Sequence, residues 1–97
     1  MKANIINSHI AIQGWMVDEL HLRGNKLLIF SIIWGFTGNL KSSKRLEEWT
    51  INYRYIESWT GLGESMIDVI LEELASAEYI VLNYDKTTVC INKNYEV

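Results

Sequence analysis

The sequence predicts an α+β fold, mainly helical, that ends in a β-hairpin. Three observations carry this. Residues 64–77 place Ile67, Ile70, Leu71 and Leu74 at i, i+3, i+4 and i+7, the stripe of a helix that faces a core. Residues 25–36 are apolar on every side, as in a helix with no solvent face. Tyr79–Tyr84 and Thr88–Asn92 are rich in strand formers and are joined by Asp85-Lys86-Thr87, the pattern of a hairpin.

The elements follow in order. His9–Gln13 alternates well enough for a short strand or extended arm, and Trp15–Leu20 reads as a short helix with Trp15, Met16 and Leu20 on one face. Leu22–Asn25 breaks it. The apolar helix from Asn25 to Phe36 has two readings, a buried core helix or a helix shared with a second subunit. Thr37–Glu48 is polar and reads as a loop carrying Lys41, Lys44 and Arg45. Trp49-Thr50-Ile51 favours a short strand. Asn52 is a good N-cap for a helix over Tyr53–Thr60. Gly61-Leu62-Gly63 is a turn, and the striped helix begins at Glu64, with Glu64 and Asp68 suited to its positive N-terminal end. The hairpin needs no glycine if its turn is a type I variant. Asn92–Val97 has the look of the start of a linker.

Composition bounds the class. At 97 residues the chain is one domain's worth, read as a single unit over 1–97. With 48% hydrophobic and 22% charged residues it lies far from the disordered range. One cysteine, Cys90, excludes a disulfide scaffold and makes a reducing cytoplasm the expected setting. The opening Met1-Lys2-Ala3-Asn4 lacks the long apolar stretch expected of a signal peptide. The longest apolar run, Leu27–Phe36, falls well short of the roughly 20 residues that span a bilayer, so no membrane partner is expected.

Short helix, glycine turn, longer helix and hairpin make a winged helix-turn-helix, with the helix pair at about 53–77 and the wing at about 79–92. The run Tyr55-Ile56-Glu57-Ser58-Trp59-Thr60-Gly61-Leu62 resembles the first helix and turn of winged-helix DNA-binding domains. Leu71–Ile80 resembles the exit of their recognition helix into the wing. Upstream, Ile10-Ala11-Ile12-Gln13-Gly14-Trp15-Met16-Val17-Asp18-Glu19-Leu20, continuing through His21-Leu22-Arg23-Gly24-Asn25-Lys26-Leu27-Leu28, is similar to the N-terminal domains of phage and plasmid replication initiators and replisome organisers, the DnaD-type primosome proteins among them. The resemblance covers roughly residues 8–92. It implies binding of origin DNA or of replication partners, and a role in DNA replication or its regulation.

The charge pattern departs from that family. Met1–Arg54 holds seven Lys/Arg and four Asp/Glu, whereas Tyr55–Asp85 holds seven acidic residues and no Lys or Arg. The helix that enters the major groove in such domains here presents Glu64, Ser65, Met66, Asp68, Val69 and Glu72. DNA carries one negative charge per roughly 1.7 Å of axis, and like charges a few ångströms apart cost about 1 kcal/mol each even in water. Groove insertion by this helix is therefore not expected. Two readings stay open. One is a protein-binding or homodimeric winged helix whose Met66 and Val69 form an apolar centre in a charged rim, unless both tuck against the wing. The other is DNA binding by a second surface made of Lys41, Lys44, Arg45, Arg54 and Lys86.

An enzyme is not expected, nor a cofactor or small-molecule substrate. His9 and His21 share no metal-ligand spacing with Cys90, which reads as a small buried hydrophobe. Gly61-Leu62-Gly63 lacks the third glycine and flanking strand of a phosphate loop. The neighbouring carboxylate pairs Asp18/Glu19, Glu47/Glu48 and Glu72/Glu73 diverge on a helix and read as solvated faces. Gly63 stands where Ser or Thr is the usual N-cap, and Glu78 stands where glycine usually ends a helix. Either the helix ends differently there or Glu78 is strained.

Overall fold

The computed structural model of the chain describes Ile10 and residues 12–97. Of the expected strand or arm at His9–Gln13, His9 and Ala11 lie outside the described residues, and Ile10, Ile12 and Gln13 have no strand pairing. The chain is α+β and about half helical: α1 (Gly14–Asp18), α2 (Gly24–Thr37), β1 (Trp49–Thr50), α3 (Tyr53–Thr60), α4 (Glu64–Ser76), β2 (Ile80–Leu82) and β3 (Thr88–Ile91), then a 3-10 turn at Lys93–Tyr95. Among the described residues no helix is long and apolar enough to cross a membrane.

The architecture is built around α2. Ile29, Phe30, Ser31, Ile32, Ile33 and Trp34 are buried in unbroken succession, so every side of this helix is covered. The cover comes from this one chain, since α2 contacts α3, α4, β1 and β3. Trp15 of α1 meets Phe30 and Trp34 edge-on, and Phe36 stacks on Trp49 of β1 at 4.7 Å between ring centroids. The core-helix reading of this segment is the one observed. Helix α1 closes earlier than expected, at Asp18, because residue 21 adopts a left-handed φ of 59° and turns the chain back.

The three strands form one antiparallel sheet in the order β1-β3-β2. Trp49 pairs with Val89, and Ile80, Val81 and Leu82 pair with Ile91, Cys90 and Val89. Trp49, Ile80, Val89 and Ile91 face the core. β1 is too short to reach Ile91, and a side chain takes the missing place. The Thr37 hydroxyl accepts from the buried Ile91 N–H at 2.9 Å and donates to Ile33 O at 2.8 Å. One residue later, Gly38 has no room for a side chain: a Cβ there would lie 2.5 Å from Trp34 Cδ1.

The helix pair follows its local signals. Asn52 caps α3 by accepting from Tyr55 N–H. Gly61 ends it with φ 73°, a conformation that glycine takes without steric cost. Ile67, Ile70, Leu71 and Leu74 are all buried. At the end of α4, Glu78 N–H donates to Ala75 O (2.9 Å) and Tyr79 N–H to Leu74 O (3.0 Å). This bond pair is a Schellman cap. Glu78 holds the left-handed position at φ 65°, so of the two alternatives the strained one is realised. The hairpin turns through Asn83–Lys86, closed by Lys86 N–H to Asn83 O at 2.8 Å. Lys86 takes the left-handed conformation, and no glycine is used.

Asn92–Val97 is not a linker in this structure. Tyr95 stacks on Trp15, its carbonyl accepts from Trp34 Nε1, and Val97 exchanges backbone hydrogen bonds with Gly38 and Leu40.

Two stability changes follow. Thr37→Val leaves the buried Ile91 N–H unpaired and is expected to cost about 1–3 kcal/mol. Glu78→Gly relieves the left-handed strain and is expected to gain about 0.5–1 kcal/mol, net of glycine's greater entropy loss. Thermal unfolding reads both, at about 4–8 °C per kcal/mol for a domain this size.

Candidate interaction surfaces

The exposed face of α4 is the first surface. Glu64, Ser65, Met66, Val69 and Glu72 are exposed. Met66 is 50% and Val69 47% accessible, so neither tucks against the hairpin. They sit three residues apart, hence on adjacent turns of one face, with carboxylates around them. Asp68 is different. It is half-buried, turns toward α3 and accepts the Tyr53 hydroxyl. Burial, together with the hydrogen bond to Asp68, pushes the Tyr53 phenol well above its ordinary pKa, so the hydroxyl keeps its proton as the donor in this bond.

Two of the carboxylates on this helix are held by cations from elsewhere in the chain. Lys86 at the hairpin tip reaches back to Glu72. Lys26 of α2 reaches Glu73, Nζ to Oε1 at 3.2 Å. The hydrogen bond from Lys86 to Glu72, then their mutual attraction, raise the Lys86 pKa, so this cation stays charged. At the same tip, Asp85 accepts from the Thr87 side chain and backbone, which lowers its pKa. Both charges therefore persist across neutral pH.

The five cations singled out in the sequence fall in different places. Lys41 and Lys44 are exposed on the loop between α2 and β1, Arg54 is exposed on α3, and none of the three has an ion pair among the described residues. β1 separates the loop from Arg54. Arg45 is structural: its Nε donates to Thr37 O at 2.7 Å and its Nη2 pairs with Glu96. Lys86 is engaged by Glu72.

Two open grooves lie on the outer side of the sheet. One is lined by Glu48, Val81, Tyr84, Thr88 and Cys90 among others, and a second by Arg45, Glu47, Cys90, Lys93 and Glu96 among others. Cys90 is thus half-exposed on the outer face, not the fully buried hydrophobe expected from the sequence. Val81 and Cys90 are cross-strand partners, so both point away from the core while Val89 and Ile91 point in. Among the described residues no group of three or more His, Cys, Asp or Glu is placed to hold a metal ion.

Comparison of the chain with protein-family models, with curated proteins and with solved structures finds no match.

Partial burial, assisted by Glu48 and Glu96, pushes the Cys90 thiol above its ordinary pKa. The thiolate is the reactive form. Iodoacetamide at pH 8 should therefore label Cys90 at least several-fold more slowly in the folded chain than after denaturation. Equal rates would show that the thiol is free and unperturbed.

Proposed function

We propose that this chain is a winged-helix binding module, not a catalyst, and that it engages a protein partner through α4 without inserting α4 into DNA. The observation that carries this reading is the Lys86–Glu72 pair. A cation free at the hairpin tip would favour phosphate contact; here Lys86 lies against Glu72 of the chain's own helix. The face beside it offers Met66 and Val69 within a rim of carboxylates. An apolar centre with a polar rim is the anatomy of a protein interface. The partner that fits is a protein surface with apolar side chains flanked by Lys or Arg. The resemblance to replisome-organiser N-terminal domains favours a partner from a DNA replication assembly.

A second reading rests on one observation. Lys41, Lys44 and Arg54 carry no ion pair among the described residues, so they are available for phosphate. Contact of that kind is weak, salt-steep and indifferent to sequence.

Two titrations separate the readings. A mixed-sequence duplex at about 50 and 200 mM salt should show no appreciable binding, whereas affinity falling steeply between the two and lost on Lys44→Glu would favour the second reading. A cationic amphipathic peptide, Leu and Lys at helical spacing, should perturb the amide resonances of Ser65, Met66, Val69 and Glu72. Met66→Asp should weaken it about tenfold, a change of 1.4 kcal/mol. Perturbations elsewhere, or indifference to Met66→Asp, would refute docking on α4.

A further inference from the structure

Among the described residues β2 is paired on one side only. Asn83 N–H donates to Thr88 O and Asn92 N–H to Tyr79 O, and Val81 stands opposite Cys90. Antiparallel strands alternate the direction of their backbone groups. Residues 79, 81 and 83 therefore bond to β3, while the N–H and C=O of Ile80 and Leu82 point the other way. The strand order β1-β3-β2 makes that side a sheet edge, and no described residue donates to it or accepts from it. An open groove runs along it, lined by Ala75, Glu78, Ile80, Val81, Leu82 and Asn92.

We propose that two copies of this chain meet at this edge, β2 against β2, antiparallel about a twofold axis at Val81. The edge is complementary to itself in that register. Ile80 of one copy stands opposite Leu82 of the second, and each such pair exchanges two hydrogen bonds through groups that point outward. The twofold repeats the exchange, so all four unpaired groups of each edge are satisfied. Val81, 52% accessible, lies opposite its own copy, a cross-strand contact between β-branched residues. No residue from 80 to 82 is charged, and the register sets Glu78 opposite the fully exposed Tyr84, not opposite another carboxylate.

A second copy is favoured over other occupants because nothing on this edge repels itself. Natural sheet edges are protected by short length, lysine, proline, bulges or inward-pointing charge; β2 is short, but Ile80-Val81-Leu82 carries no charge and no proline. The opposite edge does: β1 follows directly on Glu47 and Glu48, and twofold pairing there would bring like charges together. The contact is small. A three-residue strand covers much less than the roughly 800 Å² per partner of a stable complex, so the association is a weak, concentration-dependent equilibrium.

Sedimentation velocity on the full chain tests this over concentrations from about 10 μM to 1 mM, where a weak association is populated. The expected result is a monomer–dimer equilibrium. Val81→Lys puts two cations face to face at the axis and should raise the dissociation constant at least about tenfold. Val81→Glu should do the same. An equimolar mixture of the two variants should recover association, which neither a folding defect nor another interface would produce. A covalent trap gives an independent readout. The Val81 pair is a non-hydrogen-bonded one with Cα atoms about 4.5 Å apart, within disulfide reach. Val81→Cys with Cys90→Ser should therefore cross-link on oxidation far faster than Lys44→Cys with Cys90→Ser. A chain monomeric throughout, a dimer indifferent to both charged variants, or cross-linking no faster than the Lys44→Cys control would overturn the proposal.

Discussion

A helix with no polar face sets the terms for the rest of this molecule. Ile29 to Trp34 are buried without interruption. Such a segment cannot lie on a surface, because fully burying each large apolar side chain is worth about 1.5–3 kcal/mol. In 97 residues there is no second layer to hide it. Every other element is accordingly a cover: α1 and the C-terminal turn on one side through Trp15 and Tyr95, β1 and β3 on another, α3 and α4 on a third. Thr37 shows how tightly the cover is fitted, since its hydroxyl serves the helix and the sheet at once.

Once α2 is enclosed, polar residues are left to the outer shell, and the chain distributes its charge there by long-range pairing. Along the sequence the acidic residues concentrate after Tyr55 and the basic ones before it. In space acid and base partly cancel, with Lys86 of the hairpin tip added to the N-terminal cations. Lys26 meets Glu73, Arg45 meets Glu96 and Lys86 meets Glu72. Exposed pairs of this kind add little to stability, typically 0–1 kcal/mol. Their consequence is for recognition: α4 is less repellent to its surroundings than its four carboxylates would be if unpaired, and the uncharged pair Met66 and Val69 becomes its distinguishing feature.

What was legible in the sequence is what local physics decides. Asn52, Gly61 and the Ile67–Leu74 stripe fixed α3, its end and α4, because capping, left-handed φ and helical period all act within a few residues. The all-round apolarity of α2 was equally plain. Thr37 was read as loop, since nothing nearby signals that Ile91 lacks a strand partner. Asn92–Val97 looked like a linker because its partners, Trp15, Trp34, Gly38 and Leu40, lie more than 50 residues away. The outward side of Cys90 depends on register, which a one-residue shift would reverse. Of the candidate surfaces, the exposed positions of α4 followed from period, except Asp68, which is half-buried and accepts the Tyr53 hydroxyl. That Arg45 and Lys86 are already engaged did not, because their partners Glu96 and Glu72 have no sequence spacing to announce them.

Glu78 joins these strands of the argument. A left-handed non-glycine residue persists only where its surroundings over-determine it, and here three contacts do so. The Schellman bonds fix the backbone on both sides, and Asn92 Nδ2 donates to Glu78 O at 2.8 Å. Asn92 also bonds Tyr79 through its backbone and caps the final turn through Oδ1. One asparagine thus ties the exit of α4, the start of β2 and the C-terminal segment together. The strain at Glu78 is carried at the joint between the helix that presents Met66 and the strand that presents a free edge. The angle between those two surfaces is set there, by a local conformation that the sequence makes costly and the tertiary structure holds in place.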